Sequence, residues 1–217
     1  MKKISWIFWL LVPLLVRGQA LPYESDIQQF EAQDRQAPPP PMPILFVGSS
    51  SFTYWTELQA AFPDKKPILN RAFGGSTLTD LLNHYTRIIP KYRPRQVVIY
   101  CGENDIATAN ASVDAVAQRF MQLFTQIRRD LPGVPVAYVA MKPSPARWHL
   151  REAYRLGNAR IREYLRTQRR TRFVDVWPVM LDSTTGRPVP ALFKADSLHL
   201  NERGYQRWTK LLRPVLK

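Results

Sequence analysis

Apolar and polar positions divide the chain into two kinds of segment that alternate along most of its length. Five short runs, residues 44–47, 68–73, 96–100, 134–141 and 172–176, are dense in β-branched and aromatic residues, the pattern of strands buried on both faces. Between them the apolar spacing turns helical. Over 112–130, Val113, Val116, Phe120, Phe124 and Ile127 fall on one face behind Ser112, a good N-cap residue. Over 148–168 the stripe is Leu150, Ala153, Tyr154, Ile161 and Tyr164, and over 201–215 it is Tyr205, Trp208, Leu211, Leu212 and Val215. Strand and helix in strict alternation predict a parallel sheet covered on both faces, which binds ligands at the carboxyl ends of its strands. The segments around Gly48, Gly75 and Asn104 all lie just after predicted strands.

The first residues break this pattern. Lys2 and Lys3 precede an apolar run from Ile4 to Val16, interrupted by Ser5 and Pro13, and small residues follow at Gly18 and Ala20. Residues 1–20 therefore read as a signal peptide cleaved after Ala20, with export to a periplasm or the outside. A retained N-terminal membrane anchor is the alternative, although the run falls short of the about 20 apolar residues a span requires. Residues 21–43 comprise a polar stretch, 23–36, that fits a short helix with Ile27 and Phe30 as its apolar points, and then a stiff proline-rich connector. The compact domain is expected over 44–217, a length suited to one α/β unit.

Composition adds two constraints. Cys101 is the only cysteine, so no internal disulfide forms and stability must come from the core. The formal charge is +14; residues 1–20 hold three of the basic residues and no acid, so a chain starting at Leu21 keeps 28 basic against 17 acidic residues, or +11. That balance favours attraction to a polyanion, whether nucleic acid, anionic lipid or an acidic polysaccharide such as a cell-surface polymer.

Four short segments carry candidate chemistry. Gly48-Ser49-Ser50-Ser51 places hydroxyls on the turn from a buried strand toward a helix, where a serine can be exposed above the sheet or can simply cap the helix. Gly74-Gly75 allows close approach to a bare N–H, and also suits any tight turn. Cys101-Gly102-Glu103-Asn104-Asp105 offers an amide side chain to the same cleft, with Cys101 read as a small buried hydrophobe. Asp196-Ser197-Leu198-His199 sets a carboxylate three residues before a histidine, so that it can accept the Nδ1 proton and leave Nε2 free as a base. The other two histidines, His84 and His149, lie in helical surroundings and read as packing or surface residues. Histidine and cysteine are too scattered for ordinary zinc spacing, and no metal or cofactor is expected.

Taken in order, serine after the first strand, glycine after the second, G-x-N-D after the third and D-x-x-H before the last helix, these blocks resemble the SGNH/GDSL hydrolase superfamily from Ile44 to Val215. The resemblance implies a flavodoxin-like three-layer α/β/α sandwich with a five-stranded parallel sheet in the order 2-1-3-4-5. It also implies ester hydrolysis through an acyl-enzyme. By position, Ser50 is the nucleophile, Asp196 and His199 complete the triad, and the Ser50 and Gly75 N–H groups with the Asn104 side chain form the oxyanion hole. The family's first block usually reads Gly-Asp-Ser-Leu; here serines replace the aspartate and leucine, leaving Ser49 and Ser51 as rival hydroxyls. This first block, together with 70–75 and Lys142-Pro143-Ser144-Pro145-Ala146-Arg147-Trp148, resembles a bacterial acylhydrolase subgroup of the superfamily.

The expected function is thus a serine esterase acting on short acyl groups, including acetyl on carbohydrate, since no long exposed apolar segment speaks for a lipid substrate. The rival reading is a polyanion- or glycan-binding module with a decayed site, carried by Arg147, Arg151, Arg155, Arg160, Arg162, Arg166, Arg169, Arg170 and Arg172. A solvated helix face explains the same arginines. Nucleic acid is not the expected partner.

Overall fold

The computed structural model of the chain describes residues 20–217, so the leader expected over 1–20 lies, Ala20 apart, outside the described residues. Strands β1 (Ile44–Gly48), β2 (Ile68–Asn70), β3 (Gln96–Tyr100), β4 (Val136–Val139) and β5 (Thr171–Val174) form one parallel sheet in the order β2-β1-β3-β4-β5. Every residue of β1, β3 and β4 is buried. The first helices are α1 (Glu24–Gln36), α2 (Ser50–Thr53), α3 (Leu58–Ala61), α4 (Leu78–Asn83) and α5 (Tyr85–Ile88). They are followed by α6 (Glu103–Ala107), α7 (Val113–Asp130), α8 (Arg151–Arg166), α9 (Trp177–Met180) and α10 (Glu202–Leu212).

Successive strand residues point to opposite faces, which assigns the two helical layers. Tyr138 pairs in register with Ile99, so Tyr138 and the next residue, Tyr100, belong to opposite faces. Tyr138 packs against Phe120 of α7 at 4.8 Å between ring centroids, with α8 alongside, whereas Tyr100 meets Trp208 of α10 at 5.1 Å. This is the three-layer α/β/α arrangement expected of the sequence.

Several strands are shorter than their apolar runs, for local reasons. Asn70 ends β2 because its side chain caps Ala72 N–H at 3.1 Å and donates to Phe52 O at 2.7 Å. Pro135 has no N–H to contribute to the start of β4, and Met141 N–H leaves the ladder for Asn158 Oδ1 at 2.9 Å. Asp175 ends β5 by accepting from Trp177 N–H at 3.1 Å. The 148–168 helix begins as a 3₁₀ turn, Trp148–Leu150, before α8 proper. Ser112 caps α7 as expected, accepting from Ala115 N–H at 3.2 Å.

The segment ahead of the proline run is bound to the α/β body. Ile27 is fully buried, Arg87 bonds Glu24 at 2.7 Å and Glu31 at 2.8 Å, and Asp34 pairs with both Lys91 and the buried Arg71. Tyr92 hydroxyl closes this cluster, donating to Asp34 at 2.8 Å and accepting from Arg71 at 2.9 Å. His84 is a packing residue here, 1% exposed, with its Nε2 2.6 Å from Pro22 O.

The turn out of β1 depends on Gly48. Its φ is +133°, and a Cβ there would sit 1.9 Å from Tyr100 O in the neighbouring strand. Both obstacles are backbone obstacles, so no side chain can move aside to relieve them. Gly48→Ala is therefore expected to cost about 3 kcal/mol or more. Urea denaturation read by tryptophan fluorescence checks this; a midpoint equal to wild type would refute it.

Candidate active site

Ser50 opens α2 directly after β1. Ser49 N–H donates to Tyr100 O at 2.9 Å, carrying the backbone over the edge of the sheet. Asn70 holds α2 from one side, and Tyr205 hydroxyl donates to Ser51 O at 2.9 Å from α10. This leaves Ser50 partly exposed with its Oγ 3.0 Å from His199 Nε2. Ser49 and Ser51 are buried, at 4% and 1% exposure. Of the three adjacent hydroxyls, the one that meets the histidine is that of Ser50. The one-turn α2 is too short for a full macrodipole, so its electrostatic contribution comes from its free N–H groups.

The histidine arrives on a tight turn between Leu192 and α10. Phe193 and Leu200 pair antiparallel, and Lys194 N–H donates to His199 O at 2.8 Å. Asn201 then caps α10 through Gly204 N–H at 3.2 Å, while its Nδ2 donates to Ala191 O and Phe193 O at 2.9 Å each. Asp196 Oδ2 accepts from His199 Nδ1 at 2.7 Å, and Oδ1 accepts the N–H groups of Leu198 and His199 at 2.9 Å each. Partial desolvation pushes this carboxyl up, but the hydrogen bonds from the His199 ring, the His199 N–H and the Leu198 N–H together outweigh it and hold it down at about 2. An ionised Asp196 fixes the proton on Nδ1 and leaves the Nε2 lone pair facing Ser50. The ring of Tyr54 stands edge-on to His199 at 4.8 Å, with Lys194 Nζ 5.1 Å above it. Beyond this pair opens a cavity of about 430 Å³, lined by Tyr54, Thr56, Lys194, Tyr205, Gln206 and others.

Gly75 and Asn104 occupy the other flank. Gly75 has φ +81°, and neither its N–H nor that of Ser50 donates to an acceptor among the described residues. Asn104 Oδ1 accepts from Arg147 at 3.0 Å, and its Nδ2 donates to Ser76 O at 3.1 Å. The arginine settles which end of the amide is which and leaves one Nδ2 hydrogen unused. Ser76 Oγ donates to Gly48 O at 3.0 Å, and Asp105 accepts from Leu78 N–H at 3.0 Å and pairs with Arg119 at 3.1 Å. The glycine, asparagine and serine segments are thus stitched together.

Sequence reasoning missed what supports Asn104. Glu103 is 4% exposed and pairs with Lys142, 1% exposed, at 3.1 Å; Arg147 lies 3.6 Å from the same carboxylate, and Tyr100 hydroxyl donates to it. Burial pushes the Lys142 ammonium below its ordinary value, and Glu103 opposes that. The one available signal was the Lys142–Trp148 stretch, charged residues among prolines just after a buried strand. Cys101 is buried, as expected, and burial raises its thiol well above the ordinary range. His149 is exposed. The arginines of α8 are largely engaged: Arg151 pairs with Glu152, Arg160 with Asp114, Arg162 with Asp175 and Arg166 with Glu163, while Arg155 lies over Trp177 at 4.7 Å.

A parallel sheet of this order, with serine, glycine and asparagine following its first three strands and Asp-x-x-His preceding the last helix, defines an SGNH/GDSL-type hydrolase. The chain belongs to the GDSL-like Lipase/Acylhydrolase family, whose model matches residues 42–207. Among solved structures, a GDSL-like lipase from Bacteroides thetaiotaomicron is similar with a TM-score of 0.74 at 18% identity, over 88% of this chain and 96% of its own. The Clostridium thermocellum family 3 carbohydrate esterase gives 0.64 at 17% identity, over 82% of this chain and 98% of its own. A variant of an acetyl-xylooligosaccharide esterase from Geobacillus Stearmophilus gives 0.65 at 14% identity, over 82% and 95%. At these identities the likeness is one of fold. No curated protein matches the sequence.

Because the Asp196 carboxyl titrates below its ordinary value when folded, the stability it confers is complete above about pH 4 and is lost as pH falls toward about 2. The difference in urea midpoint between wild type and Asp196→Ala is expected to persist from about pH 7 to 5 and to shrink between about pH 4 and 2. A difference that vanishes already near neutral pH would contradict the pairing.

Proposed function

We propose that this protein is a serine esterase that cleaves carboxylic esters through an acyl-enzyme. The observation that carries the reading is the unbroken relay Ser50 Oγ–His199 Nε2, 3.0 Å, and His199 Nδ1–Asp196 Oδ2, 2.7 Å. His199 takes the Ser50 proton as Oγ attacks the ester carbonyl. The oxyanion that forms faces the free N–H groups of Ser50 and Gly75 and the unused Nδ2 hydrogen of Asn104. The imidazolium, stabilised by Asp196, then protonates the departing alcohol. A water activated by the same nitrogen releases the acid and restores the serine.

The favoured substrates are short acyl esters, with acetyl groups on carbohydrate foremost. Two similar folds are esterases of carbohydrate by name, and the cavity beyond Tyr54 offers room for a bulky alcohol. The leader-like residues support an exported enzyme. A polyanion-binding module with a decayed site is the weaker reading, because the α8 arginines are largely paired and every residue of the relay is in place. The net charge remains suited to holding an active esterase near an anionic cell-surface polymer.

Ser50→Ala is expected to abolish p-nitrophenyl acetate hydrolysis, lowering kcat by several orders of magnitude. Asn104→Ala should lower it roughly 10²–10³-fold with a smaller change in KM. A Ser50→Ala protein that turns over at the wild-type rate would end the assignment.

A further inference from the structure

The Gly74–Gly75 turn is flanked by two tyrosine hydroxyls. That of Tyr54 lies 4.0 Å from where a Cβ on Gly74 would sit, and that of Tyr23 lies 2.9 Å from where one on Gly75 would sit. Tyr23 comes from the N-terminal segment, outside the residues 42–207 that the family model matches. It is held there firmly. Its ring packs on Phe73 at 5.2 Å, the preceding Pro22 O lies 2.6 Å from His84 Nε2, and the helix it opens is clamped by Arg87 on Glu24 and Glu31. Tyr23 adopts φ +63°, a left-handed conformation unfavourable for a bulky residue, so these contacts must hold it there. Burial, followed by the charges of Asp80 and Asp26, pushes the Tyr23 phenol above its ordinary value.

We infer that Tyr23 is a specificity-determining residue: it walls off the acyl side of the cleft at Gly75 and confines the enzyme to short acyl groups. This rests on the esterase reading. In that reaction the leaving oxygen must face His199 Nε2, so the alcohol moiety extends past His199 toward the cavity of about 430 Å³ beside Tyr54 and Lys194. The carbonyl oxygen faces Gly75 and Asn104. The acyl chain starts one bond from the carbonyl carbon, and the side chain that stands against Gly75 is that of Tyr23, its hydroxyl 2.9 Å and its ring carbons 3.8 Å and 3.9 Å from where a Cβ there would sit. A methyl group fits against such a wall, while further methylenes collide with a ring that packing prevents from swinging away. The site is therefore roomy for the alcohol and shallow for the acid, the profile of an enzyme that removes small acyl groups from large carriers.

The test compares kcat/KM for p-nitrophenyl acetate, butyrate and hexanoate in wild type, Tyr23→Ala and Tyr23→Phe, with the thermal midpoint of each protein. Wild type is expected to prefer acetate. Tyr23→Ala should raise the butyrate-to-acetate ratio about tenfold or more, the scale on which a pocket discriminates one or two methylenes. Tyr23→Phe keeps the ring on Phe73 and removes only the hydroxyl, so it should fold like wild type and shift the ratio in the same direction by about threefold. If Tyr23→Ala does not fold, Tyr23→Phe decides. A folded variant with an unchanged ratio overturns the wall while leaving the esterase standing. A wild-type enzyme inert on every ester overturns the esterase reading and the wall with it.

Discussion

The approach of Gly48 to Tyr100 is the contact on which the rest of the site hangs. Lacking a Cβ, Gly48 brings the end of β1 against the carbonyl of β3, and the same carbonyl receives Ser49 N–H. The Gly48 carbonyl in turn accepts Phe73 N–H at 2.9 Å and Ser76 Oγ at 3.0 Å. One residue therefore sets the height of the serine, ties down the glycine turn and touches the strand that delivers Asn104. The separation of the free Ser50 and Gly75 N–H groups is set by backbone, which cannot hop between rotamers.

The two charged clusters of the site are built on opposite principles. Asp196 is half-exposed, and its strength comes from three acceptor contacts on two oxygens, all of them within its own turn. Glu103 and Lys142 are buried, where the desolvation of both ions offsets much of their attraction. A buried pair of this kind is better read as a device for orientation. It anchors Arg147, and Arg147 dictates how the Asn104 amide is turned. The His199 ring is aligned by local geometry, whereas the Asn104 amide is aligned by residues some forty positions further along the chain.

That difference explains what was legible beforehand. The five strands, α7, α8 and α10 announce themselves because burial on one or two faces imposes a period on the residues themselves. Asp196 and His199 were legible because three residues suffice to bring them together. Ser50 was favoured over its neighbours by register, and the burial of Ser49 and Ser51 supplies the physical reason. The pairings of Arg71 with Asp34, Lys142 with Glu103 and Tyr23 with Gly75 join segments that are far apart, and no periodicity encodes them. The partners of the α8 arginines illustrate the same point: Asp114 and Asp175 belong to neighbouring elements, outside α8 itself. The short helices α2 to α5 carry no apolar stripe of their own, because four to six residues are too few to show one.

His199 comes to Ser50 across 149 residues of sequence, and the turn that carries it leads into α10, whose Trp208 packs against Phe52 and Tyr100. During synthesis the hydroxyl emerges early and its base almost last. Under the proposed mechanism the growing polypeptide lacks its base for most of that time, and Ser50 gains its partner only late in folding.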